Sequence, residues 1–122
     1  MAITINELET GIGLMVDGNL YFVTELTHVK PGVCCAEIDA QARKVLRKFG
    51  LAKYFGHSLG HGVGLDIHES PRLSSQSPSI LEEGMIITVE PGVYIPDQFG
   101  IRVEDMILVT KEGCEVLSGY YN

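Results

Sequence analysis

His57-Ser58-Leu59-Gly60-His61-Gly62-Val63-Gly64-Leu65-Asp66-Ile67-His68-Glu69 gathers three of the chain's four histidines among closely spaced glycines. Glycine carries no side-chain bulk, so this backbone can bend sharply and come close to a ligand. Imidazole is near neutral at physiological pH and can bind a cation or pass a proton. His57 and His61 have the spacing of a helical zinc-protease motif, but that motif needs Glu after the first His, and Ser58 stands there. The glycines also disfavour a helix, by about 1 kcal/mol each relative to alanine. The segment therefore reads as extended or looped. Positions 57 and 61 then still share a face, because strand side chains repeat every two residues.

Two carboxylates lie inside apolar runs further along: Glu90 in Met85-Ile86-Ile87-Thr88-Val89-Glu90 and Glu104 in Ile101-Arg102-Val103-Glu104. A buried carboxylate is costly unless a cation or a hydrogen-bond partner offsets it. Histidines together with in-strand glutamates suggest a metal site. Blander readings exist for each residue. His61 could be a core histidine satisfied by backbone, Glu90 an edge residue facing water, and Glu104 a partner of Arg102, since alternate strand residues share a face.

Three ordered motifs narrow the choice. Gly60-His61-Gly62-Val63-Gly64-Leu65-Asp66-Ile67-His68-Glu69-Ser70-Pro71 resembles the histidine motif of the pita-bread metallopeptidases. Leu81-Glu82-Glu83-Gly84-Met85-Ile86-Ile87-Thr88-Val89-Glu90-Pro91-Gly92 resembles their next strand, and Gly100-Ile101-Arg102-Val103-Glu104-Asp105 their last. The resemblance runs from Lys30 to Ser118, and Tyr94-Ile95-Pro96 with Arg102-Val103-Glu104 draws it toward the Xaa-Pro aminopeptidase and dipeptidase branch. It implies a metal-dependent exopeptidase acting beside proline, with His61, Glu90 and Glu104 as metal ligands and Glu104 touching two metals. It also implies that His57 and His68 contact substrate or assist proton transfer, with Arg102 a cation beside the site. Mixed oxygen and nitrogen ligands suit Mn or Co, with Zn or Fe also compatible. The implied partner is a proline-containing peptide.

The family's catalytic domain has two halves, and this chain carries the second. The two Asp ligands of the first half have only an echo here, in Asp17-Gly18 and Phe22-Val23-Thr24-Glu25-Leu26-Thr27-His28, where Glu25 replaces the second Asp and His28 an Arg. Asp17 and Glu25 are therefore candidate additional ligands, against the plainer reading of a hairpin turn residue and an exposed strand glutamate. A missing half predicts a homo-oligomer or a complementary half-domain. The alternative is a non-catalytic peptide- or protein-binding module that keeps the fold.

Composition sets the outer bounds. At 122 residues the chain is expected to form one domain, with atypical strands over 1–29 and the family-like portion over 30–122. A net charge of −7 repels a nucleic-acid backbone, so no nucleic-acid partner is expected. No apolar run approaches the ~20 residues that span a bilayer. No basic start precedes an apolar core, so no signal peptide is expected. Cys34 and Cys35 are neighbours and Cys114 is distant, a poor disulfide framework, and the expected location is the cytoplasm.

Residues 3–28 alternate apolar and polar with turn signals at Gly11, Gly13 and Asp17-Gly18-Asn19, predicting two or three strands with a hairpin at Asp17-Gly18. Ile38, Ala42, Val45, Leu46 and Phe49 predict a helix over 36–49 that stops at Gly50. A polar loop is predicted over 70–79. Strands are predicted over 85–89, 92–95, 101–109 and 115–117, with a turn at 97–100 and with Met85 and Met106 in the core. Short turns between successive strands favour an α+β fold, an antiparallel sheet with a helix packed on one face.

Overall fold

The computed structural model describes residues 11–16 and 19–118, with side chains from residue 26 onward. Strands β1 (Gly11–Val16) and β2 (Asn19–Glu25) pair antiparallel as a hairpin with Val16 opposite Asn19. The Asp17-Gly18 turn itself lies outside the described residues. A short 3-10 turn, Leu26–His28, leads to helix α1 (Cys35–Lys48).

Helix α1 forms where the periodicity predicts it. Cys35, Ile38, Ala42 and Leu46 fall on one stripe and are fully buried. Glu37 lies in the first turn and Arg47 and Lys48 in the last, complementing the helix dipole. The helix ends in a Schellman arrangement. Gly50 has φ +70, its N–H bonds the Arg47 carbonyl at 3.1 Å, and the Leu51 N–H reaches back to the Leu46 carbonyl at 2.9 Å.

A 3-10 turn at Ala52–Tyr54 precedes β3 (Gly60–Gly62), and β4 (Glu69–Leu73) pairs with it. Then follow β5 (Ile86–Val89), β6 (Gly92–Ile95), β7 (Phe99–Arg102), β8 (Asp105–Val109) and β9 (Cys114–Val116). The main sheet has the order β4-β3-β5-β8-β9 with every neighbour antiparallel, while β6 and β7 form a separate pair. Ile87, Val89, Ile107 and Val109 belong to the same buried core as the α1 stripe. The fold is thus α+β with an antiparallel sheet, as expected from the short connections. Among the described residues no helix is long and apolar enough to cross a membrane.

Three expectations need correction. The loop predicted from Ser70 begins instead as β4, although it contains Pro71. Proline is tolerated there because β4 is the outer strand of the sheet. The single strand predicted over 101–109 is broken at Val103-Glu104, because β7 pairs with β6 while β8 pairs with β5. The chain passes from one sheet to the other at that point, and makes the matching passage at Glu90-Pro91 between β5 and β6. Met106 is not core but 38% exposed. It pairs with Thr88 on the sheet face opposite Ile87 and Ile107, the consequence of strand alternation.

Candidate metal centre

Both sheet-to-sheet passages place a glutamate. Glu90 follows β5 directly, Glu104 precedes β8 directly, and the last paired residues between them are Val89 and Asp105. The third member comes from β3, where Gly62 pairs with Ile87 and sets His61 beside β5. One ligand atom from each of His61, Glu90 and Glu104 lies within 4.8 Å of the other two. This is the arrangement in which a single cation could touch all three.

The glycines flanking His61 are explained by close packing. A Cβ on Gly60 would overlap the Thr88 carbonyl, and one on Gly62 would overlap the Ser70 carbonyl. β3 is therefore pressed between its two neighbours, and only glycine on either side of the histidine permits it.

Thr88 links the ligands. It is buried, accepts the His61 N–H at its hydroxyl (3.2 Å) and donates that hydroxyl's proton to Glu90 Oε2 (2.8 Å). The His61 ring donates through Nδ1 to the Gly62 carbonyl at 2.9 Å, since a carbonyl can only accept. That leaves Nε2 as the ring nitrogen facing Glu90 Oε2, 3.3 Å away. A neutral imidazole with Nδ1 tied to backbone is the form that ligates metal. The donor set thus fits a divalent cation of the oxygen- and nitrogen-preferring kind.

Arg102, at the end of β7, directs its guanidinium to Glu90 Oε1 at 3.5 Å. The reading in which Arg102 merely pairs with Glu104 is not what the structure has: no such ion pair exists among the described residues. His68 is exposed, and its ring centroid lies 4.4 Å from that of His61. His57 is half-buried and stands edge-on to Phe55 and Tyr94 at 4.9 and 5.8 Å between centroids. Its Nδ1 donates to the Ser58 carbonyl at 2.8 Å, and its Nε2 is buried with no partner.

These side chains line two adjoining clefts. One, of about 450 Å³, is bordered by His57, His61, His68, Arg72, Glu90 and Arg102. The other, of about 440 Å³, brings in Glu104 together with Leu65, Ile67 and Met106. His61, His68, Glu90 and Arg102 form the ridge between them. All six residues of the expected site other than Asp17 and Glu25 therefore meet in one place. Asp17 lies outside the described residues, and Glu25 closes β2 with only its backbone described.

Sequence reasoning missed Thr88, whose signal was its position two residues before Glu90 on the same strand face. It also missed Asp39 and Arg43, an i, i+4 ion pair on α1. The cysteines stay apart from this chemistry. Cys34 and Cys114 donate to the carbonyls of Ser77 and Leu26, and burial, then the adjacent Cys34, pushes the Cys35 thiol up to about 11.

The model of metallopeptidase family M24 matches residues 24–111. A Xaa-Pro dipeptidase of Pyrococcus horikoshii is 52% identical over 89 residues, which is 73% of this chain and 25% of that protein. The crystal structure of the prolidase from Pyrococcus horikoshii superposes with a TM-score of 0.74 at 49% identity, covering 76% of this chain and 27% of that one. The X-Pro aminopeptidase from Thermotoga maritima gives 0.73 at 44% identity, over 76% and 26%. The chain spans about a quarter of the length of the curated relatives it matches.

Proposed function

This chain belongs to metallopeptidase family M24, and we propose that it serves the hydrolysis of peptide bonds next to proline, as an Xaa-Pro dipeptidase or aminopeptidase. The observation that carries the proposal is the convergence of His61, Glu90 and Glu104 to within 4.8 Å. In this reading those three residues hold a divalent cation, Mn or Co in preference to Zn or Fe. When bound, the cation polarises a peptide carbonyl and lowers the pKa of a bound water.

The chain's own groups account for the rest. Thr88 keeps Glu90 and the His61 backbone in register, and Arg102 offsets part of the Glu90 charge. His57 borders the cleft with a partnerless Nε2 and is suited to accept or return a proton. His68, exposed beside His61, faces a peptide entering from solvent. Five ligands would be needed for a second cation as the family resemblance implies, and the described residues supply a three-ligand group. Asp17 and Glu25, a second copy of the chain, or a complementary half-domain would provide the remainder. The unpaired cysteines suit a reducing compartment, and we place the protein in the cytoplasm.

The test is hydrolysis of an Xaa-Pro dipeptide and a longer Xaa-Pro peptide with Mn or Co, measured on monomeric and oligomeric fractions. Stimulation by metal and its loss in His61→Ala are expected. Absence of hydrolysis in every fraction at saturating metal overturns the reading. The three-ligand group also favours a second reading, a peptide-binding module without turnover. Binding of a proline-containing peptide with no hydrolysis at saturating metal would select it.

A further inference from the structure

The half-buried His57 borders the cleft and holds a buried, partnerless Nε2 beside Gly92, and what fixes the ring is on the far side of the segment. Asp39, fully buried on α1, receives the Arg43 guanidinium through Nε at 2.7 Å and Nη2 at 3.4 Å. The same guanidinium donates to the carbonyls of Phe55 at 2.9 Å and His57 at 2.7 Å, and lies 4.3 Å over the Phe55 ring. Asp39 Oδ1 accepts the Leu59 N–H at 3.1 Å, a proton it shares with the Leu73 carbonyl at 2.9 Å. The pair thus grips the backbone on both sides of Ser58.

The Leu59 N–H and the Ser58 carbonyl belong to one peptide group. A trans peptide points them in opposite directions, so fixing the N–H fixes the aim of the carbonyl. That carbonyl is the acceptor for His57 Nδ1 at 2.8 Å. A line of dipoles therefore runs from the Asp39 carboxylate through the 58–59 peptide to the imidazole. Hydrogen bonds in such a line polarise one another, so the buried carboxylate strengthens the carbonyl as an acceptor. The proton is drawn to Nδ1, and Nε2 is left bare.

We propose that Asp39 and Arg43 are positioning residues for His57, fixing its Nδ1–H tautomer and the direction of its free Nε2 through the Ser58–Leu59 peptide. The relay is a property of the fold; its use in proton transfer rests on the peptidase reading above.

The test uses the full chain labelled with 15N and long-range proton–nitrogen spectra of the imidazoles. In the unmodified chain His57 should show a protonated Nδ1 and a bare Nε2. The double variant Asp39→Asn/Arg43→Gln removes the buried charge pair together, so no orphaned ion opposes folding. Arg43→Lys keeps the charge but loses the guanidinium fork, and decides the matter if the double variant fails to fold. Mixed or reversed tautomers at His57 in a folded variant are expected, with Mn affinity at His61 changed by less than about twofold because neither residue touches that group. An unchanged His57 signature in a folded variant overturns the proposal. Where Xaa-Pro hydrolysis is present, kcat should fall by about tenfold or more with KM nearly constant. If the unmodified chain hydrolyses nothing, the peptidase reading falls while the tautomer measurement still decides the relay.

Discussion

Glu90 and Glu104 flank the same end of the β5–β8 pair: one follows Val89, the other precedes Asp105, and Val89 and Asp105 are themselves partners in the ladder. Two carboxylates held this close repel each other unless a cation or proton comes between them. Arg102 supplies part of the compensation at Glu90, and a divalent cation held by the three groups would complete it. Calorimetric titration with Mn should therefore detect a site in the unmodified chain. Removing a whole ligand should weaken it beyond the ~10- to 100-fold seen for outer partners, so Glu104→Gln and His61→Ala are each expected to lose more than about 100-fold. Unaltered Mn affinity in both would refute the three-ligand centre.

Stability offers a second readout. A ligand that binds only the folded chain stabilises it by ~2.7 kcal/mol at a hundred times its Kd. Mn should raise the midpoint of thermal unfolding, a chelator should reverse the rise, and His61→Ala should show neither effect. A metal-induced rise of equal size in His61→Ala would place the bound cation elsewhere.

Thr88→Val keeps the shape of the strand and removes the hydroxyl. The His61 N–H then loses its acceptor and Glu90 Oε2 loses its donor. Leaving buried polar groups unpaired destabilises by about 1–3 kcal/mol. The Mn affinity should drop about 10-fold, as expected for a group that orients a ligand. Thr88→Ser retains the hydroxyl and should recover most of the affinity; failure of that recovery would assign the loss to packing.

Much of this candidate site was legible before the fold was known because its residues sit in strongly patterned sequence. His61 lies between glycines that only a crowded strand requires, and Glu90 and Glu104 interrupt apolar runs that otherwise specify core strands. Helix α1 was legible for the same reason, since its stripe and Gly50 agree on one boundary. What escaped depends on contacts between distant segments. Nothing local announces that the 101–109 run must break to serve two sheets, or that Pro71 falls on an outer strand. Asp39 looks like a solvated helix acid until Arg43 and the Leu59 N–H are seen around it.

Cys35 makes stability depend on pH in a set direction. Its thiol is raised from an ordinary value near 9 to about 11, first by burial and then by Cys34. Between those values the unfolded chain releases a proton that the folded chain keeps, so stability falls as pH rises through that window and levels off beyond it. Below the window this residue contributes no slope. Denaturant unfolding at several alkaline pH values should show the decline, and Cys35→Ala should remove its share of it. The same burial should make Cys35 slow to react with a thiol reagent in the native state. A steep alkaline loss unchanged in Cys35→Ala would assign it to another group.

Gly60→Ala tests the packing on which the candidate metal centre stands. The new methyl would run into the Thr88 carbonyl, a backbone atom of the central strand β5 that cannot rotate away as a side chain can. Either β3 withdraws from β5 or the chain unfolds. Overpacking of this kind destabilises by about 1–3 kcal/mol, and a clash with backbone belongs at the upper end. If β3 withdraws, the His61 N–H leaves the Thr88 hydroxyl and Nε2 moves off Glu90. Mn affinity should then fall along with stability, even though no ligand has been changed. Gly56→Ala is the matched control, because a Cβ there meets nothing within 4 Å. It should leave both quantities nearly unchanged. Equal behaviour of the two variants would show that the close approach of β3 to β5 does not govern the site.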